Sequence, residues 1–325
     1  MIVKLNIILF FSVFLLIGLV TLVGHFVPIA NALPTSQITQ VENTIFLGNK
    51  VMNKSQINEV SNSTILKQLG LYPVYQQLNN TIASLMAIAE NPLNGFISFD
   101  NFPLVDLTNE MKMRYHGIPS DQEIEKRDLA KDVLANNKAL LDISLLLPNG
   151  DRYLAEPYYP YQTNGSVFNF AHRDHFKGVM ETNKPYLSGV LEAVTTDERI
   201  AILASPIYSD LENQKSMVGI QILTLNFSYF NNLLQSAILR EGLNNTLSND
   251  TMVIVDSNGT KIAGSFSSSN DNKTEFVDLQ SYKNAKDGKS GSLVENINGR
   301  SMTISFAPVD IAQTKWILLS ISPNY

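Results

Sequence analysis

The alternation of apolar and polar positions divides the chain into segments of different period. From Leu5 to Ala30 there is no alternation: the run LNIILFFSVFLLIGLVTLVGHFVPIA carries no charged residue. About 20 apolar residues in a helix span the hydrocarbon core of a bilayer, so this run is long enough to cross one. Lys4 precedes it and no Lys or Arg follows until Lys50, a bias that leaves the rest of the chain outside the cytoplasm. Residues 1–32 therefore read as a transmembrane anchor, in the membrane through residues 5–27, or as a cleaved signal segment. Ala30-Asn31-Ala32 behind Pro28 has the small residues of a signal-peptidase site, while the apolar run exceeds the usual signal core of about 7 to 15 residues.

Residues 33–92 read as a long helical stalk, with helix expected from Thr35 to Asn91 in at least two pieces. Leu71, Tyr75, Leu78, Ile82, Leu85 and Ala89 recur at alternating four- and three-residue steps, one face of a helix that stops at Asn91-Pro92. A second helix is expected from Ser120, with Ser120 and Glu123 as a capping box, through Leu129 and Val133 to about Asn137. Residues 92–118 between them have no periodicity and read as a connecting loop.

After Asn137 the period changes. Leu140 to Leu147 is an apolar strand, Pro148-Asn149-Gly150 a turn and Asp151 to Ala155 a returning strand, together a β-hairpin. The phrase recurs: Met252 to Val255, Asp256-Ser257-Asn258-Gly259 and Thr260 to Ala263, with Lys261 in the place of Arg152. A second echo follows each hairpin, Ile200 to Ile207 before Met217 to Leu225, and Met302 to Val309 before Trp316 to Ile321. The repeat predicts two similar α+β modules in tandem, each with an antiparallel sheet. One sheet pairs Leu140–Leu147 with Met217–Leu225, the other Met252–Val255 with Trp316–Ile321.

Composition narrows the function. With 325 residues, 44% of them hydrophobic and 17% charged, the chain can bury a core in each of two modest domains or in one large one. A net charge of -6 argues against nucleic acid as a partner, because phosphate binding needs clustered cations. Without cysteine there is no disulfide, thiolate nucleophile or cysteine-held metal. N-x-S/T triplets headed by Asn53, Asn62, Asn79, Asn164, Asn226, Asn244, Asn249, Asn258 and Asn272 fit an exported chain.

The sequence holds no hydrolase nucleophile elbow, no H-E-x-x-H and no dinucleotide glycine fingerprint. Gly288-Lys289-Ser290 lacks the upstream glycine of a phosphate loop, since position 283 is Lys283, and reads as a turn between strands. His172, Asp174 and His175 lack a third and fourth metal ligand at suitable spacing. The segment His172 to Phe176 opens a helix, Asp174 to Thr182, beside a loop rich in tyrosine (Tyr153, Tyr158, Tyr159, Tyr161). Arg173 can offer a guanidinium to a carboxylate between aromatic walls, or pair with an acidic neighbour; Phe176 reads as core.

An anchor helix, a helix ending in AIAENP, the hairpin, HRDHF with KPYLSGV, then ILASPIY and VGIQILTLNFSYFNNLL resemble the double Cache sensor domain of chemoreceptors and sensor histidine kinases. VIVDSNGTKIAG, KSGSL, TISFAPV and TKWILLSIS are similar to its membrane-proximal module, so the resemblance covers residues 36 to 322. It implies two PAS-like modules stacked on the long helix, a membrane-distal one at 93–235 that holds a small ligand, and a membrane-proximal one at 236–325. It also implies a ligand site drawn from Phe168, Arg173, Asp174, His175, Tyr186, Ser188, Ser205 and Thr224. Amino-acid-binding members carry an Asp near the position of Thr224 to hold the ammonium, and a Trp and a Tyr where His175 and Phe176 stand. The arginine half of that motif is present and the ammonium half is not, which favours a carboxylate-bearing or other polar metabolite over an α-amino acid.

The expectation is thus a membrane-attached, outward-facing sensor that binds a small molecule without catalysis, cofactor or metal, and reports to a second copy or a signalling partner. A cell-surface structural or adhesive module is the competing class. An open, polar-lined cavity near Arg173 favours binding, and a packed interior there favours a scaffold.

Overall fold

The computed structural model describes residues 44–47, 50–53, 64, 66–67, 70–90, 105–158, 168–193, 198–209, 216–240, 251–264 and 276–323. The expected membrane segment at 5–27 and most of the N-x-S/T triplets lie outside these residues, as do Tyr159 and Tyr161. No described helix is long and apolar enough to cross a membrane. The chain divides into two compact units, Met1–Lys54 and Ser55–Tyr325.

In the first unit, β1 (Thr44–Leu47) and β2 (Lys50–Asn53) pair antiparallel, Thr44 opposite Asn53. This corrects the expectation of a helical stalk at residues 44–47 and 50–53 of the 33–92 stretch. The strands are rich in β-branched and aromatic residues, and Gly48-Asn49 between them is a dipeptide suited to two-residue hairpins.

The second unit opens with α1 (Tyr72–Glu90), which ends just before the expected Asn91-Pro92 stop. Val74, Leu78, Ile82, Leu85 and Ala89 of α1 are buried, so the predicted stripe is the core face. A π-helical turn, Met111–Tyr115, breaks the stretch read as a plain loop. Helix α2 (Ile124–Asn136) begins after Glu123, which sits in the left-handed region at φ 55° and caps nothing. The predicted capping box is absent because Glu123 is engaged elsewhere: it accepts a 2.5 Å hydrogen bond from the Tyr153 hydroxyl and pairs with Lys126.

The first sheet has the order β4-β3-β9-β8-β5 and is antiparallel throughout. Its strands are β3 (Leu140–Leu146), β4 (Arg152–Glu156), β5 (Tyr186–Leu187), β8 (Ile202–Ser209) and β9 (Ser216–Leu225). Helix α3 (Asp174–Thr182) precedes β5, and a small hairpin of β6 (Leu191–Glu192) and β7 (Arg199–Ile200) precedes β8. Helix α4 (Phe227–Arg240) leads to the second antiparallel sheet, of order β11-β10-β14-β13-β12. That sheet comprises β10 (Thr251–Val255), β11 (Lys261–Gly264), β12 (Gly291–Ile297), β13 (Arg300–Ile311) and β14 (Thr314–Pro323), with α5 (Gln280–Lys286) inserted before β12. Both expected pairings are observed, β3 with β9 and β10 with β14.

Period-two alternation gives each sheet two distinct faces. Ile143, Leu145, Leu203 and Leu223 of the first sheet share one core with the buried residues of α1 and α4 and with Met252, Ile254, Val309 and Trp316 of the second. The other face of the second sheet packs Val253, Val255, Phe306 and Leu319 with Tyr282 and Ala285 of α5. The other face of the first sheet packs Leu146, Ile202, Ala204, Ile220 and Ile222 with Phe176 and Val179 of α3. There the apolar packing is interrupted.

Candidate ligand-binding site

Asp142 and Ser144 stand on the same face of β3 as Leu146, four and two residues before it, and therefore point away from the α1 core. The register sets Asp142 opposite Thr224 on β9. The Asp142 carboxylate accepts hydrogen bonds from the Thr224 hydroxyl and, at 3.3 Å, from Ser144 Oγ. Burial pushes the Asp142 carboxyl up to about 6, opposed by those two hydroxyls and by the charge of Arg152. A carboxylate with that value is ionised at neutral pH but poorly solvated, so a bound cation or donor would relieve it.

Arg152 follows the hairpin turn on β4 and is 7% exposed. Burial pulls its guanidinium down to about 10, Asp142 opposing, so it stays protonated near neutrality. It lies 4.7 Å from the centre of the Phe170 ring, and its backbone N–H donates to Phe168 O at 3.0 Å. Arg173 has extended backbone, φ -75° and ψ 150°, immediately before α3. His175, in the first turn of α3, is buried with Nδ1 3.5 Å from Asp174 Oδ1. The His175 ring holds the Asp174 carboxyl below its ordinary value.

These groups converge on a cavity of about 70 Å³ lined by Asp142, Ser144, Leu146, Arg152, Phe170, Arg173, His175, Leu191, Ala193, Ile200, Ile202, Ile222 and Thr224. The polar lining is one carboxylate, two hydroxyls, two arginines and one histidine. The remaining wall is apolar. Such a cavity can hold a small anion-bearing molecule whose far end is a donor or a cation.

Of the residues named from the sequence, Arg173, His175 and Thr224 line this cavity. The other five stand elsewhere. Ser205 is opposite Gln221 on the α1 side of the sheet, where Gln221 donates to Ile88 O at 3.4 Å. Alternation separates Ser205 from Ala204 on the cavity side. Ser188 is spent on the backbone, donating to Gly189 O and accepting from Ile202 N–H. Tyr186 lays its ring over Gly178, so close that an added Cβ there would meet it at 2.2 Å. Asp174 turns outward, and Phe168 contributes its carbonyl to β4. Tyr153 points into the α1 core. Gly288, at φ +85°, forms a turn between α5 and β12 rather than between two strands.

The sequence reading passed over Asp142, Ser144, Arg152 and Phe170. The available signal was one acid and one hydroxyl two residues apart inside an otherwise apolar strand. Aligning the hairpins on Asn149-Gly150 and Asn258-Gly259 shows the contrast: Asp142 and Ser144 correspond to Thr251 and Val253, and the residue opposite Thr251 is Ile321. The second sheet thus replaces the acid by a threonine and the two hydroxyl residues by Val253 and Ile321, while Lys261 stands where Arg152 does.

The chain belongs to the Cache domain family, whose model (dCache_1, Cache domain) matches residues 50–325. Among solved structures it is similar to the extracellular domain of the putative histidine kinase rpHK1S-Z16, at 13% identity and TM-score 0.54 over 82% of this chain and 97% of that one. It is similar to the ligand-binding domain of the Pseudomonas fluorescens chemoreceptor CtaA in complex with L-serine, at 11% identity and TM-score 0.52 over 82% and 98%. A third likeness is the ligand-binding domain of the Pseudomonas aeruginosa amino acid chemoreceptor PctC in complex with GABA, at 12% identity and TM-score 0.50 over 80% and 99%. At these identities the likeness is one of fold. No curated protein matches the chain by sequence.

Proposed function

We propose that the first-sheet cavity, in a membrane-distal module at about residues 93–235, binds a small carboxylate-bearing metabolite, and that the chain senses this ligand without converting it. The observation that carries the reading is the polar set Asp142, Ser144, Arg152, Arg173 and Thr224 around one cavity, where the second sheet has no acid and has Val253 and Ile321 in the places of Ser144 and Thr224. An open, polar-lined cavity at Arg173 supports binding over a purely structural or adhesive module.

Arg152 and Arg173 hold the ligand carboxylate. Thr224 carries no charge, but its register partner Asp142 brings a carboxylate to the same corner, so an ammonium is accommodated there after all. L-serine and GABA, each present in the complex of a structural relative, combine those two groups. In this reading residues 5–27 anchor the chain as a single pass with the sensor outside, or the chain is secreted if residues 1–32 are removed. The second module, about 236–325, lies nearer the membrane, and a second copy or a signalling protein receives the signal.

The test is a thermal-shift screen from about residue 36 onward against amino acids, organic acids, amines and purines. A ligand that binds only the native state at a hundred times its Kd stabilises it by about 2.7 kcal/mol. Carboxylates should raise the melting temperature, and those that also carry an ammonium should raise it most. Shifts from amines or purines alone, or from no compound, would contradict the reading.

A further inference from the structure

Part of the apolar wall of the cavity is attached to the other sheet. Leu191, Ala193 and Ile200 belong to the β6–β7 hairpin or its immediate flank, a two-stranded piece outside the five-stranded ladder. It packs on the first sheet, and it has further supports on the second. The Gln313 side chain, from the turn between β13 and β14, makes two bonds to one residue of β5: Leu187 N–H donates to Oε1 at 2.9 Å, and Nε2 donates to Leu187 O at 2.8 Å. Because β5 is the last strand of the first sheet, the Gln313 amide occupies the place of a further strand on that free edge.

Two more contacts follow along the same segment. Val190 N–H donates to Asp256 Oδ2 at 3.4 Å, while Oδ1 of the same carboxylate accepts from Asn258 N–H and Thr260 N–H and so is fixed by its own turn. At the far end of the hairpin Arg199 Nη2 donates to Lys261 O at 2.5 Å. The stretch from Leu187 to Arg199 is thus held by the second sheet at its start, near its start and at its end, and the cavity residues Leu191 and Ala193 lie between.

We infer that the second module shapes the ligand cavity of the first, with Gln313 as a positioning residue for the wall formed by Leu191, Ala193 and Ile200. Whatever shifts this junction alters ligand affinity, and by reciprocity a ligand that presses on the wall alters the junction. The cavity is therefore coupled to β13 and β14 through side-chain contacts as well as through α1. The inference rests on the proposed ligand site, but its principal test needs no ligand.

Gln313 is exposed, so Gln313→Ala should leave the melting temperature nearly unchanged. Amide hydrogen exchange on the full chain should then be compared at Ser188 and Ala193, whose N–H groups bond to Ile202 O and Glu198 O rather than to Gln313. Their exchange should accelerate by about tenfold, the loss of two hydrogen bonds transmitted to the wall. Amides of β3 and β9 should not change. Gln313→Glu keeps the acceptor and loses the donor, and should fall between. Unchanged exchange at Ser188 and Ala193, or equal acceleration in both sheets, would overturn the inference. L-serine and GABA, added as probes, should stabilise Gln313→Ala less than wild type. Equal stabilisation of both would also overturn it, whereas a screen without any binder counts against the ligand reading and leaves exchange to decide the wall.

Discussion

Asp142 shows how much one residue's surroundings change its chemistry. Its carboxyl titrates near 6 because burial opposes ionisation more than Thr224, Ser144 and Arg152 favour it. The folded protein therefore binds this proton more tightly than the unfolded chain, whose value is near 3.8. Stability from this group is fully present below about pH 4 and is lost as pH rises to 6, a change of about 3 kcal/mol. Asp142→Asn removes that loss, so the variant should gain on wild type in melting temperature between pH 4 and pH 7. A constant difference across that range would mean the carboxyl is not buried as described. Sequence reading found Arg173 because an arginine at the start of a helix is visible locally. It missed Asp142 because the partner that matters, Thr224, is distant along the chain and adjacent only in the register of β3 and β9.

Among the elements, helices with a clear apolar stripe and strands with Asn-Gly turns were legible, since their signal lies within a few residues. The stripe of α1 and both hairpins of the repeat are where the pattern places them. The hairpin of β1 and β2 was hidden by a helical reading carried back from α1, although Gly48-Asn49 marks it. The start of α2 was misread because Glu123 serves Tyr153 and Lys126, a tertiary use no local motif reveals. Two elements yield predictions about stability. Phe176 is 6% exposed in the α3 face, so Phe176→Ala should lower stability by about 3 to 5 kcal/mol with or without ligand. Arg127 of α2 is 1% exposed, pairs with Glu156 at 2.6 Å and donates to the carbonyls of Ile118, Pro119, Gln122 and Ala155. Arg127→Ala strands a buried carboxylate and four acceptors, and should cost about 3 to 5 kcal/mol. Urea unfolding of both variants measures these losses, and a loss under about 1 kcal/mol would place the residue outside the core.

Across the molecule, a repeated unit has been put to two uses. Both sheets share a core through α1 and α4, but among the described residues the far face of the first brings Asp142, Ser144, Arg152 and Thr224 to one cavity, whereas the second has Val253 and Ile321 in the places of Ser144 and Thr224 and engages Glu295 with the backbone N–H groups that open α5. The amino-terminal run predicts that in its own host the full chain fractionates with membranes and resists extraction by high salt, whereas an amino terminus found at Leu33 would show a cleaved signal. The central claim is that the polar cavity binds a carboxylate through its arginines. It is tested most directly by calorimetric titration of wild type and Arg173→Ala with the carboxylate that gives the largest thermal shift. Charge-assisted hydrogen bonds contribute about 1.5 to 3 kcal/mol each, so the variant should bind about tenfold to a hundredfold more weakly while melting at nearly the same temperature. Equal affinity in the two proteins would place the ligand elsewhere and contradict the account.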